Sequence, residues 1–126
     1  MIFIDSNILA YAFYDNDRKD KCQQAIQKGG IINTVNLIEA YNIIQFEVSR
    51  EHATKSIKSL LKSNLIIVDV NTNSVFEALK RTLKNTNLKF VDMVHYSCAI
   101  VNNCNTIISY DKDFDNLDIP DRKSVV

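Results

Sequence analysis

Four short apolar runs punctuate the chain: "IFI" (2–4), "GIIN" (30–33), "LIIVDV" (65–70) and "TIIS" (106–109). None alternates cleanly between apolar and polar positions. Continuous runs of this length suit strands covered on both faces, as in a parallel sheet. Between them the apolar residues fall at helical spacing. Cys22, Ala25 and Ile26 mark one helix, stopped by Gly29-Gly30. Leu37, Tyr41, Ile44 and Val48 mark a second, and Ala53, Ile57, Leu60 and Leu61 a third, with Lys55, Lys58 and Lys62 on its other side. Val75, Leu79 and Leu83 line a fourth, and Val91, Val94, Cys98 and Val101 a fifth. Strands alternating with helices form βαβ units, which are right-handed in nearly all cases. The pattern predicts an α/β fold: three layers, α/β/α, around an open parallel sheet of four strands. A short fifth edge strand is expected at residues 117–119, ended by Pro120, and a loose tail from about Asp121.

The 126 residues suit one domain, 1–126, long enough to bury a core without disulfides or a structural metal. With two glycines and one proline there is no linker, second domain, repeat or low-complexity stretch. The formal net charge is zero, so a nucleic acid or a membrane would have to be held by a local patch. No apolar run approaches the roughly 18 residues of a membrane span, and Asp5 interrupts the N-terminal run where a signal peptide would continue. The three cysteines, Cys22, Cys98 and Cys104, are odd in number and match no zinc spacing. They read as reduced thiols, Cys98 in the core and Cys104 in a loop, and a cytoplasmic protein with no membrane partner is expected.

Two of the apolar runs end in acid. "IFI" runs into Asp5, and "TIIS" into "YDKDFD", with Asp111, Asp113 and Asp115. In open α/β sheets the ligand site lies beyond the carboxyl ends of the strands. Asp5 and Asp111 follow strands there. Glu39 comes early in the helix after the second strand, which starts at the same edge. Asp92 stands in the first turn of the helix that leads into "TIIS", and that turn also lies at the carboxyl edge. Each acid has a bland reading: Asp5 as a helix cap, Asp92 as a first-turn acid favoured by the helix dipole, Glu39 as a solvated helix residue, Asp111 as a turn residue. Together they are harder to dismiss, because four carboxylates placed independently reach one rim. Clustered carboxylates repel unless a counter-charge is present, and Lys112 is the one basic residue at a matching rim position. An all-oxygen donor set suits Mg²⁺ or Mn²⁺ rather than zinc. Such an ion keeps waters, which fits it for phosphodiester hydrolysis.

These residues stand in "FIDSNILAY" (3–11), "NLIEAYN" (36–42), "LKFVDMVHYSCAI" (88–100) and "IISYDKDF" (107–114). The four segments, in this order, resemble the acidic motifs of PIN-domain ribonucleases, above all the small VapC-like toxins of toxin–antitoxin pairs. The resemblance spans essentially the whole chain. It implies a Mg²⁺- or Mn²⁺-dependent endoribonuclease acting on RNA, with a cognate antitoxin protein as partner. Asp5, Glu39, Asp92 and Asp111 would be the catalytic, metal-binding quartet. Asp113 matches the second acid of the last motif, an auxiliary metal residue, and Ser6 and Asn7 match the polar pair that orients carboxylates. Two departures are visible: "NNCN" replaces a glycine before the last strand, and Ser109 replaces a threonine two residues before the fourth acid. Both bear on loop geometry and neither removes a ligand.

Several other residues have competing readings. His95, one turn beyond Asp92, is a phosphate contact or, more commonly, a packing residue. His52 is expected at the surface. Lys80, Arg81 and Lys84 form either a solvated face or a phosphate-positioning patch. Tyr11, Tyr14, Tyr41 and Tyr110 are core residues by default and base-stacking candidates otherwise. A homodimer is expected, because "YNIIQFEV" (41–48) should expose Ile43, Phe46 or both. The alternatives to a toxin nuclease are a PIN-fold RNA-processing nuclease outside a toxin system, or a catalytically weak PIN-fold binding module. The full quartet weighs against the latter, since a scaffold has no use for repelling carboxylates.

Overall fold

The computed structural model describes residues 1–84 and 87–114, and the backbone of 121–123. Five parallel strands form one sheet: β1 (Ile2–Ile4), β2 (Ile31–Asn33), β3 (Ile66–Val68), β4 (Thr106–Ile108) and β5 (Asp121–Lys123), in the order β3-β2-β1-β4-β5. The fifth strand expected at residues 117–119 lies outside the described residues. The loose tail expected from Asp121 begins instead as β5, whose backbone pairs with β4 from Thr106 to Ile108.

Among the described residues six helices connect the strands: α1 (Ser6–Tyr11), α2 (Lys19–Lys28), α3 (Thr34–Glu47), α4 (Arg50–Leu61), α5 (Thr72–Thr82) and α6 (Phe90–Val101). A 3-10 turn follows at Lys112–Phe114. Successive side chains of a strand point to opposite faces, and the core divides accordingly. Ile4 and Ile32 face α1–α4, packing with Ile8, Leu9, Ala40, Ile44 and Leu60. Phe3, Ile31 and Ile107 face α5 and α6, packing with Ala78, Met93, Tyr96 and Phe114. The three layers expected from the sequence are these.

Two apolar patterns were resolved differently from expectation. The run at β3 is not covered on both faces: β3 is an edge strand and Ile66 is exposed. The stripe Val75–Leu79–Leu83 does not line the core. Ala78 makes the inward contact of α5, while Leu79 is exposed and Leu83 is 89% exposed. Helical spacing identifies an apolar face but not what the face meets. At the end of α2 the sharp entry into β2 needs Gly30, with φ +155: a Cβ there would stand 2.7 Å from the carbonyl oxygen of Ile2.

The chain winds from β1 to β2 to β3 in one direction, then returns past β1 to lay down β4. The crevice at such a reversal, beyond the carboxyl ends of the two flanking strands, is where open α/β sheets place their sites. Here the flanking strands are β1 and β4, followed by Asp5 and by Ser109–Asp111.

Candidate active site

Asp5 continues the β1–β4 ladder, its N–H donating to Ile108 O at 3.0 Å, and then turns the chain into α1. Its extended backbone makes it the N-cap, and Oδ1 accepts the Ser6 N–H at 2.8 Å. Oδ2 accepts from Ser109 Oγ at 2.7 Å. The capping reading of Asp5 therefore holds, and the same carboxylate is tied to the loop after β4. Asp5 is buried, and burial raises its pKa above the ordinary carboxylate value; the charge of Glu39 adds to this, while the hydrogen bonds from Ser109 and the Ser6 N–H oppose it.

Glu39 projects from α3, which begins with a reciprocal cap. Asn33 Oδ1 accepts the Asn36 N–H at 2.9 Å, and Asn36 Oδ1 accepts the Asn33 N–H at 2.8 Å. The Oε1 atom of Glu39 accepts from Ser6 Oγ at 2.6 Å and faces His95 Nε2 at 2.5 Å. Burial pushes this carboxyl up, but the hydrogen bonds from His95 and Ser6 outweigh it and hold the pKa below normal.

Asp92, in the first turn of α6, has its pKa pushed up to about 6, by burial first and then by the charges of Asp5 and Asp111. Ligand oxygens of Asp92, Asp111 and Asp113 lie within 4.8 Å of one another. The loop that presents the last two is held by its own backbone: Asp111 N–H donates to Ser109 Oγ and Asp113 N–H to Asp111 Oδ1, both at 2.8 Å. The structure thus gathers Asp92, Asp111 and Asp113 into one open trio. Asp5 and Glu39 stand apart from that trio, tied down by hydrogen bonds, yet both still raise the pKa of Asp92. Among the described residues, none of the five pairs with a lysine or arginine.

Ser6 bridges Asp5 and Glu39, with its N–H on one and its hydroxyl on the other. Asn7 makes one long contact, Nδ2 to Ser109 Oγ at 3.5 Å. Its Oδ1 is buried with no hydrogen-bond partner among the described residues.

Other residues settle as follows. His95 is fully buried, so it faces no phosphate; it joins Glu39 to Asn33. His52 is half-buried rather than at the surface, its Nε2 facing Phe13 O. Lys80 and Arg81 both bond Glu77, and Arg81 also bonds Ser97, which neutralises part of the basic patch. Arg18 stacks over Tyr110 at 3.9 Å and near Tyr11 at 5.5 Å, placing a guanidinium beside the residue that precedes Asp111. Burial pushes all three thiols above their ordinary pKa, which suits inert structural cysteines; Cys104 lies in the loop between α6 and β4, as expected, and is buried there, and Cys98 is half-buried.

Sequence reasoning did not assign Asn33, Asn36, Ser109 or Arg18 to the site. The Asn33–Asn36 spacing was readable as a capping pair. Nothing in the order of residues links Asn33 to His95, 62 positions away.

Acids gathered at the reversal point of a parallel sheet stand where open α/β sheets place their ligand sites. The PIN domain family model matches residues 2–120, and the chain belongs to the PIN domain family. Its fold is shared with solved toxin structures. VapC20 of Mycobacterium tuberculosis, described as a sarcin-ricin loop cleaving toxin, superposes with a TM-score of 0.79 at 14% identity, over 90% of this chain and 92% of that one. A toxin–antitoxin complex from Klebsiella pneumoniae gives 0.74 at 13% identity, over 100% and 98% of the two chains. VapBC2 from Rickettsia felis, bound to a DNA fragment from its promoter, gives 0.74 at 18% identity, over 98% of each. At these identities the likeness is one of fold. No curated protein matches the sequence.

Proposed function

We propose that this protein is a metal-dependent endoribonuclease, the toxin of a toxin–antitoxin pair. The observation that carries the reading is the acidic trio Asp92, Asp111 and Asp113, paired with no lysine or arginine among the described residues, beside Asp5 and Glu39 at the crevice between β1 and β4. A purely structural role offers no compensation for that much like charge. The VapC and VapBC folds support the toxin assignment within the family, and with it an antitoxin partner.

The residues fit a hard divalent cation, Mg²⁺ or Mn²⁺. The donor set is all carboxylate, and the buried, unpartnered Oδ1 of Asn7 leaves an oxygen donor nearby in the sequence. Asp92, Asp111 and Asp113 would hold the ion, together with Asp5 and Glu39. When bound, it would neutralise the rim and polarise a phosphodiester for hydrolysis. The chain's own groups prepare that rim. Ser6 and Ser109 hold the carboxylates of Asp5 and Glu39 in place, and the Asp111–Asp113 loop is fixed by its backbone bonds. Burial first, and then the charges of Asp5 and Asp111, keep the pKa of Asp92 raised.

An antitoxin would inhibit by presenting a basic side chain to this rim, where an arginine fork can bind two carboxylates. A second copy is proposed to pair with the chain through exposed apolar helix residues, Phe46 among them. The deciding experiment is cleavage of a single-stranded and a structured RNA with millimolar Mg²⁺ or with EDTA, by wild type and by Asp92→Asn. Cleavage that needs the ion and is lost in the variant is expected. Cleavage undiminished by EDTA would refute the reading.

A further inference from the structure

The hydrogen bonds around Glu39 close into a ring whose directions can be assigned. Asn33 Oδ1 is occupied by the Asn36 N–H, which leaves Asn33 Nδ2 facing His95 Nδ1 at 3.0 Å. An amide nitrogen only donates, so Nδ1 accepts and carries no hydrogen. The imidazole then bears its hydrogen on Nε2, which faces Glu39 Oε1. The second arm follows the same logic. Asn36 Oδ1 is occupied by the Asn33 N–H, so Asn36 Nδ2 donates to Ser6 Oγ at 2.8 Å. The Ser6 hydroxyl hydrogen is left for Glu39 Oε1 at 2.6 Å. Two arms start from one capping pair and end on one oxygen.

We propose that Asn33 and Asn36, acting through His95 and Ser6, are positioning residues: they commit Oε1 of Glu39 to internal donors and leave Oε2 for a divalent cation. The inference rests on the metal-dependent reading above. Donors behind a ligating carboxylate fix its orientation, and losing one typically weakens metal binding or activity by about 10–100-fold. A ring that served only the core would leave metal affinity alone.

Three variants and one spectrum test this. Asn33→Ser keeps an oxygen to cap α3 but removes the donor to His95. His95→Phe fills the volume with neither nitrogen. In His95→Gln one amide can accept from Asn33 and donate to Glu39. Mn²⁺ affinity by electron paramagnetic resonance, RNA cleavage against Mn²⁺ concentration, and the melting temperature are measured for each. Asn33→Ser and His95→Phe should weaken Mn²⁺ binding by roughly 10-fold or more, with the cleavage deficit shrinking as Mn²⁺ rises. His95→Gln should recover most of the affinity. Folded variants with wild-type Mn²⁺ affinity, or His95→Gln no better than His95→Phe, overturn the positioning role alone. A wild type that neither binds Mn²⁺ nor cuts RNA overturns the proposed function, and this inference with it. Long-range proton–nitrogen NMR of the wild type needs no variant: a hydrogen on Nδ1 of His95 overturns the assigned ring.

Discussion

The Ser109 hydroxyl donates to Asp5 Oδ2 at 2.7 Å across 104 residues of sequence, and Ser109 Oγ itself accepts the Asp111 N–H at 2.8 Å. One side chain thus holds a buried carboxylate and the start of the acidic loop together. Removing it should leave Asp5 Oδ2 without its donor, while Oδ1 keeps the Ser6 N–H. Ser109→Ala is expected to destabilise the protein by about 1–3 kcal/mol at neutral pH. It should also weaken Mg²⁺ binding, whereas Ser109→Thr should keep both bonds. Chemical denaturation and calorimetric Mg²⁺ titration of the two variants check this; equal behaviour of alanine and threonine would remove Ser109 from the site.

Asp5 both caps α1 and lies buried among the acids. Asn caps about as well as Asp, so Asp5→Asn tests the charge rather than the cap. With EDTA the variant should melt no lower than wild type. Millimolar Mg²⁺ should raise the wild-type melting temperature, because a ligand that binds only the native state stabilises it, and should raise that of the variant much less. RNA cleavage should collapse. Near wild-type cleavage by the variant would displace Asp5 from the catalytic set.

Asp92 supplies a pH test. Its folded pKa of about 6 lies above the ordinary 3.8, so the folded state holds this proton more tightly than the unfolded chain does. The stability that the protonated group contributes is complete at low pH and declines as pH rises through this window. In EDTA, Asp92→Asn should therefore match wild type near pH 4 and melt higher than wild type above pH 6. An advantage of the variant that grows as pH falls would contradict the raised pKa.

On α3, Phe46 is 87% exposed while Ile43 packs half-buried against the core. Light scattering at tens of micromolar should give twice the monomer mass, and Phe46→Glu should lower it with little change in monomer stability. A monomeric wild type under those conditions ends the dimer proposal.

Strands β1 to β4 were legible because their apolar runs are short, while β5, the polar Asp121–Lys123, was not; the acids were legible because topology brings strand ends and helix starts to one edge. Asp92 and Asp111 needed no more than that. What the sequence hid was of two kinds. The outward stripe of α5 obeys the same periodicity as an inward one, so Val75, Leu79 and Leu83 looked like core. The ties from Asn33 to His95 and from Ser109 to Asp5 join polar residues far apart in the chain, and no spacing rule connects them. The five acids also differ in surroundings: oxygens of Asp92, Asp111 and Asp113 lie close together, while Asp5 and Glu39 are already engaged by donors.

The reversal that places β4 against β1 has a consequence during synthesis. A chain leaving the ribosome can assemble β1, β2, β3 and the helices α1–α4 while everything from α5 onward is still missing. At that stage Asp5 lacks its Ser109 donor, and Asp92, Asp111 and Asp113 do not yet exist. The acidic rim is completed in one late step, when the segment carrying Asp111 and Asp113 docks beside the first strand. A product truncated before β4 therefore lacks Asp111, Asp113 and the Ser109 donor to Asp5, and cannot form the rim.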